Sequence, residues 1–277
     1  MSRILGRILC MPIKKKLGEV TLEELLEAGA HFGHRVERWN PKIAPYVFGQ
    51  KEGIHIFDLE RTREKLLEAM QELKRRANLE ETILFVGTKQ QAQEVIRDTA
   101  QKVGSPYIVN RWIGGLLTNF AQIKKSIDKL SKMKAAREAG EYKKFTKKEQ
   151  LLLDREIARL EKLFGGVASL SGLPDILIIV DIKKENTAVA EARRMEIPLM
   201  AIVDTNSDPT LVDYPIPAND DSNKSVSFVV GKLGEAIEEG LELRAKNKVK
   251  QVEEVSEVSP ARSAESTASA GGQVSQV

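Results

Sequence analysis

Three short, continuously apolar segments constrain the fold of this chain more than any other feature. They occupy residues 82–87 (TILFVG), 175–180 (DILIIV) and 199–204 (LMAIVD). A strand that is apolar at every position is typical of a parallel sheet buried on both faces. Amphipathic segments at 90–103 and 185–195 predict the helices that connect such strands. The alternation therefore predicts an α/β fold with a doubly wound parallel sheet and right-handed crossovers.

Further elements are predicted on either side of these strands. A helix begins after Thr21, because Glu24 completes a capping box, and it ends near Gly29. The stretch 31–53 is polar, carries aromatic residues and is predicted to be a loop. The remaining predicted elements are strands at 54–59, 107–110 and 214–217 and helices at 60–78 and 222–246.

Residues 119–164 interrupt the alternation with a lysine-rich insertion. Between 119 and 163 there are 13 Lys and Arg against 7 Asp and Glu, an excess of six positive charges in a chain whose net charge is +3. Two apolar series run through it at alternating spacings of three and four: Phe120, Ile123, Ile127, Leu130 and Leu153, Ile157, Leu160, Phe164. With a polar turn around Gly140, this pattern predicts an antiparallel helical hairpin packed as a coiled coil.

Two interpretations of the insertion's charge are open. The lysines either keep a solvated hairpin soluble or form an arm that binds phosphates. The excess of one sign favours the arm.

Composition limits the classes of protein to which the chain can belong. Cys10 is the only cysteine, which excludes an internal disulfide and a cysteine-based metal cluster and fits a reducing, intracellular compartment. No apolar run reaches the roughly 18 residues needed to span a bilayer. Residues 1–18 are basic, and Arg7 interrupts their apolar centre, so we interpret them as a flexible basic arm and not as a secretory signal.

The segment 85–89 (FVGTK) is a candidate phosphate site, because it places Gly, Thr and Lys between a strand and a helix N-terminus. It matches neither the P-loop pattern nor the dinucleotide-binding glycine pattern. The alternative is a tight turn with a capping threonine. A nucleotide-binding enzyme that uses this loop and Asp204 is the rival functional hypothesis. A third functional hypothesis is a scaffold protein whose hairpin binds an acidic protein partner.

Histidines and acids give weaker signals. His31 and His34 could chelate a metal ion, but Gly33 lies between them and no third ligand is evident, so packing and hydrogen bonding are favoured. Asp181 and Asp204 follow two neighbouring strands, where ligands of α/β proteins usually bind, so residues 204–209 could form an acidic active site or a metal site. The segment 204–209 (DTNSDP) is equally typical of a capped turn. No nucleophile with a matching base is apparent.

Two loops combine Arg, Trp and Asn: residues 35–42 (RVERWNPK) and 110–115 (NRWIGG). Such residues can grip phosphates and stack on exposed bases. For Trp112, packing in the core is as well supported as contact with RNA.

Several motifs, in order from Thr21 to about Arg244, resemble the small-subunit ribosomal protein S-two family of bacteria and organelles. They include LEAGAHFGH, RWNPK, FVGTK, NRW-x-GG-x-LTN and AIVDTNSDP. The resemblance implies a flavodoxin-like α/β/α domain with an inserted coiled-coil hairpin, and it implies no catalytic role. It also implies binding to 16S ribosomal RNA at the junction of head and body, and help in recruiting the large ribosomal protein S-one.

The predicted organisation is an arm at 1–18, an α/β domain at 19–118 and 165–246, a hairpin at 119–164 and a disordered tail at 247–277. We expect a ribosomal, cytoplasmic, non-enzymatic protein that contacts other small-subunit proteins and needs no cofactor, metal, membrane or small-molecule substrate. The predicted RNA-binding residues are Arg38, Lys42, Lys89, Arg111, Trp112, Lys124, Lys125, Lys132, Lys143, Lys144, Lys147 and Lys148.

Overall fold

The computed structural model describes residues 20–258. Helices and strands alternate along most of this range. In chain order they are α1 (Leu22–Glu27), β1 (Phe32–Arg35), β2 (Val47–Lys51), β3 (Ile54–Phe57), α2 (Leu59–Asn78), β4 (Ile83–Val86), α3 (Gln90–Val103), β5 (Tyr107–Ile108), α4 (Phe120–Glu138), α5 (Lys147–Phe164), β6 (Ile176–Val180), α6 (Asn186–Arg194), β7 (Leu199–Val203), β8 (Tyr214–Pro217) and α7 (Asn223–Val258).

Five strands form one parallel sheet in the order β5-β4-β6-β7-β8. Every residue of β4, β6 and β7 is buried, as their continuous apolar runs predict. Counted along the chain, the order is second, first, third, fourth, fifth, which is the flavodoxin-like arrangement. The predicted doubly wound α/β fold is confirmed.

Each face of this sheet packs against a different layer, because successive side chains of a strand point to opposite faces. Phe85 and Ile178 lie in a core cluster with residues of α2, α3 and α7. Leu84 and Ile179 lie in a second cluster, which α6 and the insertion complete. The insertion therefore packs on the α6 side of the sheet.

A second, antiparallel sheet has the order β1-β3-β2. The predicted strand at 54–59 exists as β3, but β1 and β2 lie within the stretch that we predicted to be a loop. Both are short, polar and irregular in register, so neither has the apolar alternation that identifies a strand in sequence. Glu52 and Gly53 both have positive φ values, as a tight hairpin turn between β2 and β3 requires.

The insertion contains two helices, α4 and α5, joined by a short 3-10 turn at Glu141–Lys144. Thr146 caps α5 through a capping box with Glu149. The helices touch each other, and the apolar series is buried at Ile127, Leu130, Ile157, Leu160 and Phe164. Coiled-coil supercoiling and the proposed domain boundaries stay predictions.

Helix α7 continues to Val258, which is beyond the end predicted at 246. The predicted basic arm at 1–18 lies outside the described residues, and so does the tail from 259 onward. Among residues 20–258, no helix combines the length and the apolar character that crossing a bilayer requires.

Candidate nucleic-acid interface

An ion-pair network lies at the carboxyl edge of the parallel sheet, where the loops after the strands meet. Lys89 Nζ lies 2.7 Å from Asp220 Oδ1, 2.6 Å from Asp221 Oδ1 and 3.5 Å from Asp181 Oδ2. Burial by itself lowers the pKa of Lys89, but the charges and hydrogen bonds of Asp220, Asp221 and Asp181 together outweigh it, and the pKa is raised. Burial, with the nearby charges of Asp204 and Asp181, raises the pKa of Asp220 to about 7. Lys89 is therefore a structural cation, and its ammonium, held by three carboxylates, is not free to meet a phosphate.

His34 connects the small sheet to the same network. Its Nδ1 lies 3.0 Å from Asp204 Oδ1, and its Nε2 lies 3.2 Å from Asp221 Oδ2. The hydrogen bond with Asp204 raises the pKa of His34, although burial opposes the rise. The backbone amide of His34 donates to Thr205 Oγ1 at 2.7 Å.

His34, Asp204 and Asp220 also form a candidate cation site, because their ligand atoms all lie within 4.8 Å of one another. One imidazole and two carboxylates are donors that a divalent transition metal accepts. The sequence offered no third ligand for His31 and His34, whereas the fold places Asp204 and Asp220, from the loops after β7 and β8, beside His34. His31 does not join this group, and burial lowers its pKa.

The candidate phosphate loop is closed by a carboxylate. The amide of Thr88 donates to Glu185 Oε1 at 3.1 Å, and the Thr88 hydroxyl donates to the same oxygen. A Cβ at Gly87 would lie 2.2 Å from Ile96 Cδ1, so a larger residue there would force the buried Ile96 side chain to shift. The geometry matches a tight turn better than a phosphate cradle.

Trp112 lies in the core, with 8% of its surface exposed. Its indole Nε1–H donates to Glu191 Oε1 at 3.1 Å. The core-packing interpretation of Trp112 is thus favoured over stacking on RNA.

The other cations of the two loops are accessible. Arg38 and Arg111 are exposed. Lys42 is exposed too, but its Nζ lies 2.6 Å from Asp208 Oδ2. Arg111 lines an open cavity of about 490 Å³ together with Lys184, Thr187 and Asn110. Lys184, which the sequence analysis did not select, thus lies beside a predicted RNA-binding residue.

The predicted lysines of the insertion differ in their surroundings. Lys124 donates to the carbonyl oxygen of Leu170 at 3.0 Å and is half-buried. Six others are exposed and make no ion pair with any side chain described between residues 20 and 247: Lys125, Lys132, Lys143, Lys144, Lys147 and Lys148. Four of these lie together at the turn between α4 and the start of α5, so that turn carries the densest unpaired positive charge of the predicted set.

The flavodoxin-like sheet and the basic helical insertion define an α/β protein with a lysine-rich insertion after its second parallel strand. Residues 25–240 match the family described as Ribosomal protein S2. The chain belongs to the ribosomal protein S2 family, as the sequence motifs indicate.

Curated relatives agree over most of the chain, and each is named small ribosomal subunit protein uS2. The Cytophaga hutchinsonii protein is 48% identical over 83% of this chain and 91% of its own length. The Coprothermobacter proteolyticus protein is 50% identical over 81% of this chain and 84% of its own length. The Dictyoglomus thermophilum protein is 45% identical over 86% of this chain and 96% of its own length.

Proposed function

We propose that this protein is a structural constituent of the small ribosomal subunit that binds 16S ribosomal RNA at the junction of head and body. The observation that carries the RNA-binding part is the unpaired, exposed charge of Lys143, Lys144, Lys147 and Lys148. Clustered cations neutralise phosphates and release counterions, which gives affinity without base recognition. In this proposal the protein acts in translation, in the cytoplasm and as part of the ribosome.

Arg38, Lys42 and Arg111 supply a second set of contacts on the α/β body, and Lys125 and Lys132 extend the first along α4. Two contact sets on different parts of one chain orient a protein on RNA, whereas a single flexible arm does not. Recognition of this kind reads RNA shape more than base sequence.

The test exchanges the charge of the turn. Lys143, Lys144, Lys147 and Lys148 are replaced together by Glu, and the variant is sedimented with small subunits on gradients at low and high salt. We expect weakened incorporation with unchanged helix content. The matched control reverses four exposed cations outside the insertion: Arg63, Arg193, Arg194 and Lys224. Equal incorporation of both variants would show that the lysines only solvate the surface.

Nuclease treatment distinguishes RNA binding from the alternative hypothesis, a scaffold that binds an acidic protein. A complex held by an acidic protein survives RNase treatment, whereas a complex held by ribosomal RNA does not.

Support for the recruitment of the large ribosomal protein S-one is the second part of the proposal, and it rests on the family resemblance. Small subunits assembled without this protein should lose S-one and regain it when the protein is added back. Retention of S-one on depleted subunits would refute this part alone.

A further inference from the structure

Glu191 of α6 gathers the segment that leads into the insertion. It is buried, and its Oε1 accepts hydrogen bonds from Trp112 Nε1 at 3.1 Å and from the Gly115 amide at 2.8 Å. Its Oε2 accepts from the amides of Leu117 and Thr118 at 3.1 and 3.3 Å, and from the Thr118 hydroxyl at 3.2 Å. All five donors belong to residues 112–118, immediately before α4.

We propose that Glu191 is the positioning residue that fixes the insertion to the α/β body. Residues 112–118 contain no regular helix or strand, so their amides need a partner outside secondary structure. A carboxylate is suited to this because it only accepts hydrogen bonds and has about four lone-pair sites. With five donors satisfied by one rigid group, the direction in which α4 leaves the sheet is set.

Apolar packing also links the segment held by Glu191 to helix α4 of the insertion. Leu116 and Leu117, inside the segment held by Glu191, are fully buried and share a core cluster with Ile127 and Leu130 of α4. The amide of Asn119 donates to the carbonyl oxygen of Gly115 at 2.8 Å, and α4 begins at the next residue. Movement of the segment therefore moves the helix.

The end of α5 is held by different groups. Asn110 Nδ2 donates to the carbonyl oxygen of Lys162 at 2.6 Å. Gly166 lies so close to Tyr107 that a Cβ would be 2.2 Å from its carbonyl oxygen. Glu191 is thus the polar anchor of one end of the insertion only, and its loss should loosen the orientation without detaching the helices.

The consequence for RNA binding rests on the proposed function. A fixed insertion holds the lysines of its turn at a set distance from Arg111 and Arg38. Both contact sets can then engage one RNA surface without a further ordering cost on binding.

The test measures the orientation of the insertion directly in the free protein. Spin labels are placed at Glu94→Cys on α3 and Glu138→Cys on α4, both exposed, after Cys10→Ser removes the native thiol. Pulsed electron paramagnetic resonance then gives the distribution of distances between the two labels. We expect Glu191→Gln to broaden this distance distribution. The amide nitrogen of glutamine carries two N–H donors, which would face the backbone N–H donors that now bind the carboxylate. Glu196→Gln, an exposed residue just after α6, is the matched control and should leave it unchanged.

A merely structural role would lower stability and leave the distance distribution narrow, and that result would overturn the proposal. Should Glu191→Gln fail to fold, Thr118→Val removes only the hydroxyl bond with little change of shape. A smaller broadening then supports the proposal, and an unchanged width refutes it.

RNA affinity is a separate measurement. If the proposed function is correct, the broadened variant should bind small-subunit RNA about tenfold more weakly, the equivalent of one to three side chains that must be ordered on binding. Broadening with unchanged affinity would keep the positioning role and contradict the RNA contact.

Discussion

The carboxylate of Glu185 accepts hydrogen bonds from both the backbone amide and the hydroxyl of Thr88. These are the donors that a phosphate at the turn after β4 would use. Glu185 is itself buried, with 3% of its surface exposed. If its side chain moved away from Thr88, the buried carboxylate would lose these hydrogen bonds, which is costly. The turn that most resembles a nucleotide site is filled by the protein itself.

The first prediction follows from this contact. Calorimetry with ATP, GTP and NAD, with and without magnesium, should detect no saturable micromolar binding. Such binding would revive the rival hypothesis of a nucleotide-dependent enzyme. Glu185→Gln is the companion variant, since binding that appears only after this change would identify the carboxylate as the block.

Lys89 should be essential to the fold. Lys89→Met leaves Asp220, Asp221 and Asp181 without their shared cation, and breaking a buried ion pair from one side costs about 3–5 kcal/mol in the free energy of unfolding. Urea denaturation measures the loss. Lys102→Met, at an exposed ion pair with Glu238, is the control, with an expected cost under about 1 kcal/mol. Similar losses in the two variants would contradict the structural role of Lys89.

Glu191 predicts a dependence of stability on pH. Burial by itself raises the pKa of Glu191, but the hydrogen bonds from Gly115, Trp112 and Leu117 outweigh it and the pKa is lowered. A lowered pKa contributes stability above the unfolded-state value, about 4.3, and the contribution is lost as pH falls through the lower folded-state value. The difference in unfolding free energy between wild type and Glu191→Gln should therefore shrink in acid. A difference that stays constant down to about pH 3 would contradict an ionised Glu191.

Gly166 should tolerate no side chain. An alanine Cβ there would lie 2.2 Å from the carbonyl oxygen of Tyr107, a backbone atom that cannot rotate away. We expect Gly166→Ala to destabilise the protein by about 2 kcal/mol through overpacking. Gly172→Ala meets no atom within 4 Å and should change stability by less than about 0.5 kcal/mol. Thermal unfolding of the pair measures the difference, and equal values would show that the close contact is absent in solution.

The basic turn should control how RNA affinity depends on salt. When Lys143, Lys144, Lys147 and Lys148 are replaced by Gln, the slope of log K against log salt should fall by about 3, since each lost phosphate contact removes roughly 0.7–0.9. Filter binding to small-subunit RNA across a salt series gives the slope. Neutralising Arg63, Arg193, Arg194 and Lys224 should leave it nearly unchanged. An unaltered slope in the lysine variant would place the RNA contacts elsewhere.

Local sequence determined the elements whose signals are local. The runs at 82–87, 175–180 and 199–204 became strands, because a short run that is apolar throughout is typical of a parallel strand covered on both faces. Helix α3 was predicted at its observed bounds, and the capping box of Thr21 with Glu24 formed as its spacing indicates. Of the small antiparallel sheet, β3 was predicted, whereas β1 and β2 were missed because they owe their existence to pairing rather than to their own pattern.

The side-chain partners were decided by tertiary structure alone. Lys89 was predicted to contact RNA, and in the fold its half-buried ammonium pairs with Asp220, which lies 131 residues away and reaches the same sheet edge. Glu191 gave no signal in sequence, being one acidic residue on a charged helix, yet it holds the base of the insertion. The sequence by itself determined the fold family and the surplus of charge in the insertion, since both depend on order and composition. Only the tertiary structure decided which charged side chains form ion pairs within the protein. Parallel strands bring residues that are distant in sequence to one edge of the sheet, and a charge that is buried there is stable only when it is paired.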